Sequence, residues 1–355
     1  MKNLEKYREL LEKGDVDALL LTSPYNRMYA AQYGIAEGAA VIAKNRCYYF
    51  TDSRYIEAAE KNLPDFTVQM VDMTHDYYSR INGAIAAETV KTLGFEENDM
   101  TYGAFQRFHA QLHAVLLPYN AEISRFRASK EPWELELMRQ AQKITDDTFT
   151  QMLDVVKAGM SEKAVAAELI YRLYKNGADG LSFQPIVVSG PNTSLPHGVP
   201  GERILQFGDF VTMDFGCIYK GYCSDMTRTV ALGFVTEEMD KVYHTVLSAQ
   251  LAGIAATKAG VPGRDIDGAA RKVIADAGYG KCFGHGYGHS LGLEIHEAPN
   301  CNPSNDKPMP AGAVASAEPG IYLPDKFGVR IEDVTVITEN GCENITKSPK
   351  NLIIL

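Results

Sequence analysis

Residues Gly284–Glu297, GHGYGHSLGLEIHE, carry three of the chain's eight histidines, together with four glycines and no lysine or arginine. Imidazoles bind transition metals and move protons near neutral pH. In an extended chain Gly284, Gly286 and Gly288 fall on one side, and His285, Tyr287 and His289 on the other. The bare side admits a neighbouring backbone at close range, so the histidines are expected to face a common site. His296 has the opposite parity and needs a bend near Gly292 to join them.

Familiar histidine and serine motifs fail on context. GHSLG (288–292) matches the nucleophile-elbow pattern, but alternating glycines precede Ser290 where a buried strand is required. Behind it, LEIHEAP runs into Pro299 where a helix should start, and His296 alone follows as a histidine. The zinc-protease pattern H-E-x-x-H is broken, since His296-Glu297 is followed by Ala-Pro-Asn. The glycine spacing is not that of a nucleotide-binding loop either.

Carboxylates supply the other half of a metal site. VTMDFGCIYKGYCSDMTRTVAL (211–232) reads as a β-hairpin turning at Lys220-Gly221. A two-residue loop there pairs Tyr219 with Tyr222, and hence Asp214 with Thr227. That register puts Asp214 and Asp225 diagonally on one face, about 7 Å apart at their β-carbons. Two carboxylates so placed repel unless cations lie between them. Glu318 (AVASAEPGIY) and Glu332 (GVRIEDVTVIT) sit in apolar stretches, and Glu332 shares a strand face with Val334 and Val336. A buried, unpaired carboxylate is costly, so each must be paired or bound. Four such acids balance two divalent cations. An oxygen-rich set with one imidazole and no thiolate suits manganese, with cobalt or zinc also compatible.

The elements that position these groups fall into two parts. The 355 residues exceed one ordinary domain. Asp17–Thr22, Ala39–Ala43, Cys47–Thr51 and Phe66–Val71 read as strands, with helical patterns over 54–62 and 78–92 between them, which is α/β in character. The stretch Ser124–Glu131 is polar and basic, and Pro132 opens a long helix. The expected division is therefore 1–125 and 126–355. The second part alternates helices (132–157, 161–176, 237–258, 265–277) with strands (185–189, 210–214, 227–232, 329–338), an α+β pattern. A net charge of −10 argues against a nucleic-acid partner. No apolar run suggests a signal peptide or a membrane span, and six scattered cysteines without CxxC spacing suit reduced thiols in the cytoplasm.

Taken in order, Asp214-Phe-Gly, Ser224-Asp225-Met-Thr-Arg-Thr, His285-x-x-x-His289 with His296-Glu297, Glu318-Pro-Gly-Ile-Tyr and Arg330-Ile-Glu332-Asp333 resemble the pita-bread metallopeptidases. That family includes aminopeptidase P, prolidase and, more distantly, methionine aminopeptidase. SGPNTSLPHG (189–198) matches the segment before the first aspartate, and TDSRY (51–55) lies in a region similar to the creatinase/prolidase N-terminal domain. The resemblance implies an α/β N-terminal domain that closes the site and mediates a homodimer, followed by a pita-bread catalytic domain. It implies two divalent ions: Asp214 on one, Asp225 and Glu332 bridging, His289 and Glu318 on the other. His197 and His296 would contact substrate, His285 is a further site histidine, and Arg330 would hold a carboxylate. The reaction implied is hydrolysis of the first peptide bond of small peptides with proline second, by a water that the shared cations make acidic. Glu318 would shuttle the proton, and His296 would help hold the oxyanion. Aminopeptidase P and prolidase stay unseparated. The alternatives are a methionine aminopeptidase, which typically lacks a part like residues 1–125, a creatinase-like hydrolase, which lacks the five ligands, and a silent binding module of the same fold.

Overall fold

The computed structural model describes residues 3–355, and the chain divides into two compact units, the first ending at Arg127 and the second running Ala128–Leu355. Helix α1 (Asn3–Lys13) buries Leu4, Tyr7, Leu10 and Leu11, the stripe expected of a one-sided helix. The first unit is built on a six-stranded mixed sheet in the order β4-β3-β2-β1-β5-β6. Its strands are β1 (Ala18–Leu21), β2 (Ala39–Ala43), β3 (Cys47–Asp52), β4 (Thr67–Val71), β5 (Thr92–Phe95) and β6 (Val115–Pro118). β1, β2 and β3 pair antiparallel, and the outer pairings are parallel. Between them run α2 (Pro24–Ala31), α3 (Ile56–Asn62), α4 (Tyr77–Ala87), α5 (Tyr102–Gln111) and α6 (Asn120–Ala128). Of the stretch read from sequence as polar and basic, residues 124–128 form the last part of α6, where Arg127 is buried.

The second unit opens on α7 (Pro132–Leu153). Pro132 occupies its first turn, and the Glu134 carboxylate accepts the Glu131 N–H at 2.8 Å, so the orphan donors at this end are satisfied by sequence-local groups. Next come α8 (Glu162–Lys175), capped by the Ser161 hydroxyl, and the strands β7 (Gly180–Leu181), β8 (Ile186–Ser189), β9 (Phe210–Phe215), β10 (Cys217–Tyr219), β11 (Tyr222–Cys223) and β12 (Met226–Ala231). The plan of a helix pair followed by strands then recurs: α9 (Glu237–Ala256), α10 (Gly263–Asp276), and β13 (Gly288–Ser290), β14 (Glu297–Cys301), β15 (Val314–Ala317), β16 (Gly320–Leu323), β17 (Phe327–Arg330), β18 (Asp333–Thr338) and β19 (Gly341–Asn344). Each half has its own apolar core, one joining α7 and α8 to β9 and β12, the other joining α9 and α10 to β15 and β17.

The hairpin register read from sequence is present: Tyr219 pairs with Tyr222, and Asp214 with Thr227. Its turn residues Lys220 and Gly221 both have positive φ (47° and 89°), the geometry a two-residue hairpin loop requires. The hairpin is interrupted at Gly216, where a β-carbon would lie 1.9 Å from the Ser224 carbonyl oxygen. The Ser224 hydroxyl accepts the Cys217 N–H at 2.9 Å instead. The single strand read over 329–338 is two strands, β17 and β18. At the break the Glu332 N–H donates to the Thr227 carbonyl at 3.1 Å, so Glu332 belongs to a crossing point and not to a strand face. Among the described residues no helix is long and apolar enough to cross a membrane, and all six cysteines are free.

Candidate metal centre

One cavity of about 550 Å³ in the second unit is lined by every residue singled out from sequence: His197, Asp214, Asp225, His285, His289, His296, Glu318, Arg330 and Glu332. Asp214 comes from the end of β9, and Asp225 precedes β12. His289 lies on β13, Glu318 directly follows β15, and Glu332 sits at the β17–β18 break. The ligand atoms of Asp225, His289 and Glu332 all lie within 4.8 Å of one another. His289 Nε2 is 3.6 Å from Asp225 Oδ2 and 3.2 Å from Glu318 Oε1.

The way these groups are held favours a cation. His289 Nδ1 lies 3.2 Å from the Ser290 carbonyl, which accepts its proton and aims Nε2 at the acids. The Ser316 hydroxyl donates to Glu318 at 2.9 Å, and the Thr227 hydroxyl donates to Glu332 Oε2 at 2.8 Å. Arg330, fully enclosed, donates from Nη2 to Asp214 Oδ2 at 2.5 Å and from Nε to Thr227 Oγ1 at 3.0 Å. The opposite oxygens, Asp214 Oδ1, Asp225 Oδ1 and Glu332 Oε1, are buried with no hydrogen-bond partner. Buried polar atoms are nearly always satisfied, so three orphaned carboxylate oxygens in one cavity mark a place for positive charge.

The titration behaviour follows. Burial raises the Asp214 carboxyl, Arg330 opposing. Burial and then the Asp214 charge push Asp225 well up, and burial followed by Asp225, Glu318 and Asp214 does the same to Glu332. Burial would raise Glu318 too, but the bonded His289 imidazole pulls it down to about 2. Burial would lower His289, and Glu318 with Asp225 overrides it and lifts the ring to about 9. Without a cation, protons on this cluster carry the compensating charge.

The remaining histidines are arranged around this centre. The His296 ring stands edge-on to His289 with centroids 4.4 Å apart. It gets there through a turn after β13, closed by the Gly292 N–H on the Glu294 carbonyl at 2.9 Å and a register shift between β13 and β14. The bend expected near Gly292 is therefore present. His285 Nε2 lies 2.9 Å from the Tyr322 hydroxyl, which itself accepts from Arg330 Nη1 at 2.9 Å. Burial lowers His285 and His296 alike, favouring neutral rings.

The alternation read through 284–289 does not survive at Tyr287. The chain bends at His285 and Tyr287, and the Tyr287 ring turns into the apolar core, with its hydroxyl on the Gln250 carbonyl at 2.9 Å. The glycine argument holds at Gly288, where a β-carbon would stand 2.0 Å from the Ser316 carbonyl oxygen. Ser290 is fully buried with its hydroxyl on the Pro299 carbonyl, which removes it as a nucleophile. Sequence reasoning gave no role to Tyr322, although it closes the Glu-Pro-Gly-Ile-Tyr motif, nor to the apolar wall of Phe183, Ile186, Val199 and Ile295.

A constellation of buried acids around one imidazole, on this two-part scaffold, is that of a metal-dependent hydrolase. Residues 136–339 match the model of metallopeptidase family M24, and residues 3–129 match the creatinase/prolidase N-terminal domain. The chain belongs to metallopeptidase family M24, the pita-bread peptidases, and is a metallopeptidase. It is 41% identical to "Uncharacterized peptidase YqhT" of Bacillus subtilis over 99% of both chains. Among solved structures it is similar to an Xaa-Pro dipeptidase from Bacillus anthracis, 38% identical with a TM-score of 0.96, covering 100% of this chain and 99% of that one. An X-Pro aminopeptidase from Thermotoga maritima is 34% identical with a TM-score of 0.94, covering 100% of both chains.

Proposed function

We propose that this chain is an exopeptidase that removes the first residue from small peptides with proline in second position, using two divalent ions, manganese fitting the donor set best. The observation that carries the reading is the cluster of Asp225, His289 and Glu332 within 4.8 Å, with unpartnered oxygens on Asp214, Asp225 and Glu332 beside it. In this reading Asp214 would hold one ion, His289 and Glu318 would hold the other, and Asp225 and Glu332 would serve both. Divalent ions bound there supply Lewis acidity toward a carbonyl and toward water.

The chain's own residues do the rest. Glu318 accepts a proton from the attacking water and passes it to the leaving nitrogen. His296, kept neutral, donates toward the developing oxyanion, and His197 holds the peptide from the rim, while His285 lines the cavity with its ring nitrogens on the Gly286 carbonyl and the Tyr322 hydroxyl. Arg330 fixes Asp214 in place. An Xaa-Pro bond has no N–H, so a site reading it needs an apolar surface for the ring in place of an acceptor. Phe183, Ile186 and Ile295 provide such a surface in this cavity. In the same reading the N-terminal unit serves to pair two copies of the chain, and the reaction takes place in the cytoplasm.

The test is a substrate panel, Ala-Pro, Ala-Ala and Ala-Pro-Ala, with chelated and manganese-reconstituted protein. Metal-dependent cleavage confined to the proline peptides is expected, and the tripeptide separates aminopeptidase P from prolidase behaviour. Equal, metal-independent cleavage of Ala-Ala and Ala-Pro would defeat the proposal.

A further inference from the structure

The rim segment 195–200 supplies five consecutive cavity-lining residues, Pro196 to Pro200, including His197. Val199 and Leu195 are exposed there and contribute little to holding the segment down. Both of its ends converge on one side chain. Glu162, at the start of α8 and fully buried, does not line the cavity. Its Oε1 accepts from the Ser189 N–H at 2.7 Å, the Ser189 hydroxyl at 2.9 Å and Asn192 Nδ2 at 3.0 Å, all before the segment. Its Oε2 accepts the Gly201 N–H at 3.0 Å, just after it. Backbone bonds from Glu162 to Arg203 and from Lys163 to Gly201 bring the far end onto the same helix turn.

We propose that Glu162 is a positioning residue for substrate recognition: its carboxylate staples residues 189 and 201 together and thereby sets where His197 meets the peptide. The chemistry favours a carboxylate over its amide. Four donors converge on two oxygens, and an amide nitrogen at Oε2 would face the Gly201 N–H donor to donor. Charge-assisted bonds of this kind are the stronger class, and a loop held at both ends loses less freedom when substrate binds. The five metal-holding residues lie outside 189–201, and the rim segment reaches them only indirectly, through the Pro196 carbonyl that accepts from Arg330 Nη1 at 3.3 Å and the pairing of β8 with β9, so metal content is expected to survive loss of the staple.

The inference rests on the peptidase reading, and its test separates the two. Glu162→Gln and Glu162→Asp are compared with wild type for metal content, for steady-state hydrolysis of Ala-Pro, and for amide exchange of peptides covering 189–203. The expected result is unchanged metal content, a KM raised about tenfold for Glu162→Gln with kcat within a few-fold, and faster exchange confined to that segment. Glu162→Ala should exceed both variants in the exchange effect. Unchanged KM and unchanged exchange in a folded Glu162→Gln protein would overturn the staple, as would equal loss of metal and kcat. Wild type inactive on Ala-Pro would instead overturn the peptidase reading, and the exchange measurement would still decide the staple.

Discussion

Replacing Glu332 by glutamine should make the metal-free protein more stable while removing its response to metal. Glu332 is buried, Oε2 accepts from Thr227 at 2.8 Å, and Oε1 has no partner. Its ligand oxygen lies within 4.8 Å of that of Asp225. Two ionised carboxylates at that distance repel by about 3.5 kcal/mol at an effective dielectric near 20. Proton uptake relieves part of this, which is why burial and Asp225 together push the Glu332 carboxyl well up. Glutamine keeps an oxygen for Thr227 and discards the charge. Metal-free Glu332→Gln should therefore gain about 1–3 kcal/mol over wild type at pH 8.5, and less at pH 6, where protons already screen the wild-type cluster. In thermal unfolding with chelator that is roughly 2–10 °C in a domain of this size. With manganese the order should invert, since binding only to the native state raises wild-type stability and the variant has lost a ligand. Metal-free Glu332→Gln less stable than wild type by more than about 1 kcal/mol at pH 8.5, with a metal-induced rise equal to wild type, would refute this reasoning.

Other consequences can be checked on the same protein. The metal-free form should lose stability as pH rises: Asp214, Asp225 and Glu332 are raised, so the native state holds protons above the ordinary carboxylate range that the unfolded chain has released. His289, lifted to about 9, stabilises fully below its ordinary value and loses this between there and pH 9. Unfolding in chelator at pH 6 to 9 should show the decline, and manganese should flatten it. Arg330→Met removes the guanidinium from the enclosed Asp214 pair and should cost about 3–5 kcal/mol in chemical denaturation. Lys130→Met should cost a similar amount, about 3–5 kcal/mol. Lys130 Nζ sits 3.1 Å from Glu297 with both side chains nearly inaccessible, and Glu297 accepts from the Glu294 N–H in the turn that presents His296. Its kcat/KM should fall as well.

The parts legible in the sequence are those set by local chemistry. Lys220-Gly221 dictates a two-residue turn, and from it the Asp214–Thr227 pairing follows by counting. Pro132 and Glu134 mark the start of α7 in the same way. What was misread depended on distant partners. Tyr287 leaves its expected face because an apolar core and the Gln250 carbonyl receive it, and bends at His285 and Tyr287 override the alternation. Glu332 looks like a strand residue until the Thr227 carbonyl, 105 positions away in the chain, takes its N–H and splits the strand. The staple at Glu162 and the Lys130–Glu297 pair are invisible to periodicity, because each joins segments that no local rule relates. α5, which fully buries none of its residues, turns only Phe105 and Phe108 against the core of the first unit, a stripe too short to mark a helix from sequence.

The pair of ions is tested most directly by anomalous scattering from crystals grown with manganese. Two peaks are predicted, both in contact with Asp225 and Glu332, one reaching Asp214 and the other His289 and Glu318. A cavity without anomalous signal at saturating manganese, or signal confined to sites away from these five side chains, would contradict the account.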